Sequence, residues 1–336
     1  MSKIDIHHHV YPPVLVEALK EVGGDSFGWQ VPPPWTLEKD QEIMARMGAE
    51  AAILSITSPG VCFVEDTDRA ARLARQCNEF AAAIRDERPG KYGFFATLPS
   101  LCDTQAALDE INYALGILKA DGVTIFAQYG DEHHYLGHTS FHPIWAELSR
   151  LKAVVFVHPT FLPTSAAETR WVNSYMPLPI LDYSQETGRT AMDLIVSGVM
   201  KTYPGCKVIL SHAGGTLPYL IHRNAALLAS TPNSCGQTQE EILDAARKFY
   251  FDTALAANHV SLSALFAFAE PGHILFGSDF PNAPGEVIDR FTGYIDSELS
   301  GEQHSRISYL AALELFPRLK PFFEETEIKR PDKLDG

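Results

Sequence analysis

The sequence predicts a single (β/α)8 barrel, and three observations lead there. Eight short runs rich in β-branched and aromatic residues recur along the chain, segments with helical periodicity separate them, and several runs are apolar throughout, as parallel strands covered on both faces must be. At 336 residues and 46% hydrophobic content, the chain holds enough material for one large core spanning 1–336. Barrels of this class commonly reach about 250 residues or more as one domain.

The strand-like runs fall at 3–7, 51–56, 92–97, 122–126, 153–158, 207–212, 249–253 and 273–279. Val154-Val155-Phe156-Val157 and Val208-Ile209-Leu210 are the clearest uninterrupted apolar ones. Between the runs, helical periodicity marks 37–47, 66–87, 104–118, 143–150, 186–200 and 240–247. The stretch 159–185 is proline-containing and aromatic with little periodicity, which predicts a long loop over the active-site face; loops of that length are usually functional or at an interface. Residues 230–239 form a polar excursion containing glycine and proline, and the chain has no internal repeat or low-complexity tract. A doubly wound open sheet would show the same alternation, so the count of eight is what favours closure.

Composition excludes several function classes. The formal net charge is −15 with no basic stripe, which leaves no electrostatic footprint for nucleic acid or a membrane surface. An acidic surface repels a carboxylate at long range, so any positive charge that binds one must be local, from a metal or an arginine. The five cysteines, Cys62, Cys77, Cys102, Cys206 and Cys235, include no C-x-x-C pair, which argues against a disulfide framework or a thiolate zinc site and fits a reducing compartment. The first residues lack a secretory apolar run and no later segment reaches transmembrane length. A cytosolic enzyme is expected.

Three runs end in histidine and one in aspartate, and all strand C-termini of a parallel barrel open onto the face that carries active sites. In Ile6-His7-His8-His9 strand alternation points His7 and His9 to one side, where both can reach one metal, while His8 turns away. Taken alone, His-x-His is as readily a polar strand end or an expression tag. Its position between Ile4-Asp5-Ile6 and the turn Tyr11-Pro12-Pro13 favours a strand. His158 and His212 would each pass alone for a structural histidine, and Asp279 for a helix N-cap. Their joint placement at strand ends makes the case.

Ile-Asp-Ile-His-His-His at the start, Val-His-Pro at 157–159, Ser-His-Ala-Gly-Gly at 211–215 and Gly-Ser-Asp-Phe-Pro at 277–281 together resemble the amidohydrolase-related decarboxylases. Aminocarboxymuconate semialdehyde decarboxylase and the 6-methylsalicylate decarboxylase group are members of that family. The resemblance runs from residue 3 to beyond residue 281. It implies an amidohydrolase-like barrel with metal ligands at His7, His9, His158 and Asp279, a catalytic His212 behind them, and catalytic use of Asp279. It also implies a substrate-carboxylate contact from Arg223, eleven residues after His212, reaching into a neighbouring subunit, and hence a homodimer. The family's second carboxylate-binding arginine has no counterpart in register here; Arg46 lies nearest. Phe280 and Trp171 are placed to wall an aromatic ring.

Binuclear amidohydrolases bridge two metals through a carbamylated lysine at the end of the fourth strand. Here that strand reads Gly122-Val123-Thr124-Ile125-Phe126, so one divalent ion is expected. Histidine-plus-carboxylate ligation suits zinc, with manganese as the alternative. The expected reaction is non-oxidative decarboxylation of a small aromatic acid of the hydroxybenzoate type, 6-methylsalicylate. The same ligand set would also serve a lactone or amide hydrolase, since function lives in the pocket lining.

Overall fold

The strands form where the apolar runs predicted them, and all eight join one parallel sheet. The computed structural model describes residues 2–22, 33–132, 134–160, 176–231 and 235–323. In chain order the strands are β1 (Lys3–His9), β2 (Ala49–Ser55), β3 (Tyr92–Thr97) and β4 (Gly122–Phe126), then a two-stranded hairpin of β5 (Gln128–Tyr129) and β6 (His134–Tyr135), then β7 (Val154–His158), β8 (Lys207–Leu210), β9 (Tyr250–Asp252) and β10 (Ile274–Leu275). The sheet order is β1-β2-β3-β4-β7-β8-β9-β10, with the hairpin outside it. Ile6 N donates to Phe276 O at 3.0 Å, Asp279 N to His7 O at 2.8 Å and His9 N to Phe280 O at 2.6 Å. These bonds join the first strand to the chain just beyond the last and close the barrel, which an open doubly wound sheet would not do.

Closure divides the apolar side chains into two layers. Ile4, Ile6, Ile53, Phe95, Phe156, Ile209 and Leu275 fill the barrel interior, while Val155, Val157, Val208 and Leu210 face the surrounding helices. The helices are α1 (Pro13–Glu21), α2 (Leu37–Met47), α3 (Thr67–Glu87), α4 (Thr104–Gly116), α5 (His142–Arg150), α6 (Leu178–Val196), α7 (Val199–Thr202), α8 (Leu217–Ser230), α9 (Gln239–Arg247), α10 (His259–Phe268) and α11 (Gly285–Glu298), followed by short turns to residue 319. Thr36, Asp66 and Asp103 each accept a backbone N–H at a helix start, which is why periodicity located α2, α3 and α4 to within a few residues.

Three boundaries differ from the sequence reading. The loop assigned to 159–185 is shorter: α6 already begins at Leu178, because Pro177 and Pro179 sit at the cap and first turn, where a missing N–H is tolerated. Residues 161–175 of that loop, with Trp171, lie outside the described residues. The run 207–212 stops as a strand at Leu210, and His212 opens a 3-10 turn. The last run pairs regularly only over Ile274–Leu275, then continues irregularly along β1.

Candidate metal centre

The site is assembled at the C-terminal ends of the strands by side chains that are themselves held from behind. His7 and His9 share a face of β1 despite a register irregularity between Asp5 and His8, and both are fully buried. His7 Nδ1 is 2.8 Å from Asp252 Oδ2, His9 Nδ1 is 2.9 Å from Ser55 Oγ, and His158 Nδ1 is 2.8 Å from Pro159 O. Asp252 and the Pro159 carbonyl only accept, so Nδ1 of His7 and of His158 carries a proton and Nε2 is the nitrogen left to ligate. Ser55 accepts equally well from His9, since its own hydroxyl reaches His8 O at 3.4 Å.

The Nε2 atoms converge on one point. His7 Nε2 lies 3.0 Å from His9 Nε2, and Asp279 Oδ1 is 3.4 Å from the first and 3.2 Å from the second. Ligand atoms of His7, His9, His158 and Asp279 all fall within 4.8 Å of one another, and all four residues are buried. Three imidazole lone pairs and one carboxylate in a dry pocket are mutually repulsive unless a cation sits among them. The residues fit a single divalent metal of the zinc or manganese kind.

Electrostatics tune the donors for that role. Burial, reinforced by the neighbouring histidines His9, His7 and His212, holds the His158 imidazole well below its usual range. Burial lowers His9 likewise. Burial alone would raise Asp279, but its hydrogen bonds to His7 and His9 hold the carboxyl well below the ordinary carboxylate value. For His7, burial is outweighed by the Asp252 and Asp279 carboxylates, which raise the imidazole to about 10, so a metal bound at Nε2 must displace a proton.

His212 and Asp279 are carried by strained backbone. Their φ angles are 53° and 65°, and Ala213 and Leu255 beside them are also left-handed, at 57° and 55°. Strain of this kind persists only where the surroundings over-determine it, and it clusters at functional sites. His212 Nδ1 is fixed at 3.0 Å from Ala254 O, and its ring centroid lies 4.8 Å from that of His7. Gly277 permits the approach: a Cβ there would stand 2.8 Å from His7 Cβ. A second group, His7, His212 and Asp252, is also compact, but Asp252 Oδ1 already accepts from His212 N at 3.0 Å and Ala254 N at 2.9 Å. That carboxylate is committed to protein donors, and the group reads as scaffold instead of a second metal site.

The remaining expected residues are not gathered here. Phe280 follows Asp279, but its ring lies 5.0 Å from that of His8, on the side of β1 facing away from the cluster. Arg223 is exposed on α8. Arg46 pairs with Asp289 at 2.9 Å, both about half exposed, between α2 and α11. Sequence reasoning missed Asp252, Ser55 and Asn282, the last with its Nδ2 3.5 Å from Asp279 Oδ1. Asp252 carried a usable signal, an acidic residue closing the strand Tyr250-Phe251-Asp252 on the same barrel face, whereas Ser55 and Asn282 carried none. Tyr183, in the first turns of α6, has its ring centroid 6.1 Å from that of His158 and is the aromatic side chain of that helix nearest the cluster.

The chain is similar to known proteins over nearly its whole length. The Amidohydrolase family model matches residues 4–318. The chain is 55% identical over 329 residues to a 6-methylsalicylic acid decarboxylase of Penicillium expansum, covering 98% of this chain and 100% of that one. It is 56% identical over 324 residues to a 6-methylsalicylic acid decarboxylase of Aspergillus aculeatus, covering 95% and 97%. Among solved structures, a dihydroxybenzoic acid decarboxylase from Polaromonas with bound manganese and the inhibitor 2-nitroresorcinol superposes with a TM-score of 0.79 at 25% identity, covering 94% of this chain and 97% of that one.

Proposed function

The chain belongs to the amidohydrolase family, and from that premise we propose the reaction it performs: decarboxylation of 6-methylsalicylate to 3-methylphenol and CO2. It is a metal-dependent carboxy-lyase of small aromatic acids. One observation carries the substrate assignment, the near-full-length identity of 55% to a 6-methylsalicylic acid decarboxylase.

We assign His7, His9, His158 and Asp279 as the ligands of one divalent ion. Zinc suits the donors, and manganese is the alternative that the Polaromonas structure contains. When bound, the ion supplies Lewis acidity and a template for the carboxylate and ortho oxygens of the substrate. The chain's own residues do the rest. Asp279, ionised at rest, takes up a proton by way of His212 and delivers it to the ring carbon bearing the carboxylate, which breaks aromaticity. The C–C bond then cleaves, its electron pair restores the ring, and CO2 departs. His212, held by Ala254 O, exchanges protons with Asp279 so that it is recharged after each turnover. No organic cofactor is required, because the protonated ring accepts the electrons.

The family resemblance also implies an arginine contact to the substrate carboxylate, and no arginine of the described residues lies in the cluster. Arg223 of a second copy fills that role in this proposal. It is supported by the exposure of Arg223 beside Tyr219 on α8, the latter 86% exposed, and of Ile180 on α6, 65% exposed, an apolar face suited to a homodimer. Among the described residues no helix is long and apolar enough to cross a membrane.

Turnover of 6-methylsalicylate in D2O tests the reaction. One deuterium is expected on the carbon that carried the carboxylate, and the analogue lacking the ortho hydroxyl should not turn over, since chelation through that oxygen aligns the ring. Product without deuterium, or equal rates for both compounds, would overturn the mechanism. Solvent oxygen in the product would point to hydrolysis.

A further inference from the structure

We infer that Tyr11 and Asn282 form a positioning pair that fixes how the Asp279 carboxylate is presented to the metal and the substrate, an inference that rests on the reading of Asp279 as ligand and proton donor. Asn282 lies three residues beyond Asp279, in the turn that leads to α11, and Tyr11 lies just after β1 with 5% of its surface exposed. The Tyr11 hydroxyl donates to Asn282 Oδ1 at 2.7 Å. The other end of the amide, Nδ2, then faces Thr57 Oγ1 at 2.9 Å and Asp279 Oδ1 at 3.5 Å.

This orientation is the one that chemistry allows. An ionised carboxylate can only accept, so the amide must turn a nitrogen toward Asp279. Its oxygen must then turn away, and the Tyr11 O–H is the donor waiting for it. A flipped amide would set oxygen against oxygen at Asp279, and the phenol, which can also accept, would adapt to either end. Asp279 thus selects the amide orientation, and Tyr11 anchors the amide in it without touching Asp279.

The consequence lies in which carboxylate oxygen is held. Asp279 Oδ1 is the atom that approaches His7 Nε2 and His9 Nε2, and Asn282 donates to that same oxygen. Among the described residues Oδ2 accepts no hydrogen bond. The pair therefore pins the metal-facing oxygen and leaves its partner to face the pocket, where the proton must be exchanged. Neither residue carries a charge, so the influence is on geometry. Outer partners of metal ligands act in this manner, and their loss typically costs about 10–100-fold in metal affinity or activity.

A double-mutant cycle on the metal-loaded enzyme tests the pair. Asn282→Leu, close in volume but without the amide, should release its metal to a chelator about tenfold more readily and lower kcat about 10–100-fold, with KM changed by less than about threefold. Tyr11→Phe should shift both readouts in the same direction by less. In the Asn282→Leu background Tyr11→Phe should add nothing, because the phenol acts only through the amide. If Asn282→Leu does not fold, Asn282→Asp keeps the acceptor for Tyr11 and removes the N–H, and should lose at least as much. Wild-type chelator competition and kcat in the single variants would overturn the pair, as would effects that multiply in the double variant or a rise in KM with kcat intact. Chelator competition needs no substrate, so failure of the wild type to decarboxylate would reject the reaction and leave this test standing.

Discussion

His7 and His9 stand beside His8 in one tripeptide, all three with 0% exposure, yet the two faces of β1 put the same side chain to opposite uses. Toward the barrel axis each imidazole meets one partner at Nδ1 and keeps Nε2 for a shared point. Toward the helices His8 spends both nitrogens, with Nδ1 2.9 Å from Asp5 Oδ2 and Nε2 2.9 Å from Asp40 Oδ2. Asp40 is in turn bound by Trp35 Nε1 and the Tyr92 hydroxyl, and Asp5 by Ser278. Burial would lower His8, but the Asp40 and Asp5 carboxylates raise it to about 10, so it is a cation locked between two anions. A buried histidine becomes a ligand when one nitrogen is left without a protein partner, and a strut when both are taken.

The largest effect that would break this contrast is loss of an inward ligand. His158→Ala should abolish turnover together with metal binding, measured by metal content after dialysis; the wild type should retain about one divalent ion per chain. Retention of full metal by the variant would sink the ligand assignment. His212→Ala should keep the metal and lower kcat by about 10²–10⁴-fold, since in the proposed mechanism it moves protons instead of coordinating. Metal loss in that variant would move His212 into the ligand set.

On the outward face, Asp40→Asn leaves a buried cation short of one partner and should destabilise the fold by about 3–5 kcal/mol while the loaded metal stays near one per chain. The pH dependence sharpens this. The folded His8 imidazole is raised from 6.5 to about 10, so its contribution is fully present below about pH 6.5 and is lost as pH rises through about 10. The difference in unfolding midpoint between wild type and Asp40→Asn should therefore be widest near pH 6 and shrink toward pH 10. A difference that grew with pH would contradict the charged-strut reading. The smallest effect belongs to Arg46→Ala: its half-exposed pair with Asp289 should contribute under about 1 kcal/mol, and kcat should not change. A large drop in kcat would return Arg46 to the active site.

Tyr11, Asn282 and Asp252 mark where legibility of the sequence ended. The eight apolar runs and the four strand-end side chains could be read because each depends on local periodicity: two residues apart on a strand means one face, and a parallel barrel sends every C-terminus the same way. That reasoning is enough for the fold, for His7 and His9 together, and for His8 turning away. It does not extend to partners distant in sequence. Asp252 meets His7 across 245 residues and Asn282 meets Tyr11 across 271. The exposure of Arg46, the turn of Phe280 toward His8 and the left-handed backbone at His212 also depend on how the closed barrel packs its loops. The sequence alone determined eight parallel strands with histidine and aspartate side chains at their C-terminal ends, because period and direction are local properties of the chain. Tertiary structure decided which nitrogen of His7 and of His9 is left open, because Asp252 and Ser55 come within 3 Å only when the strands assemble.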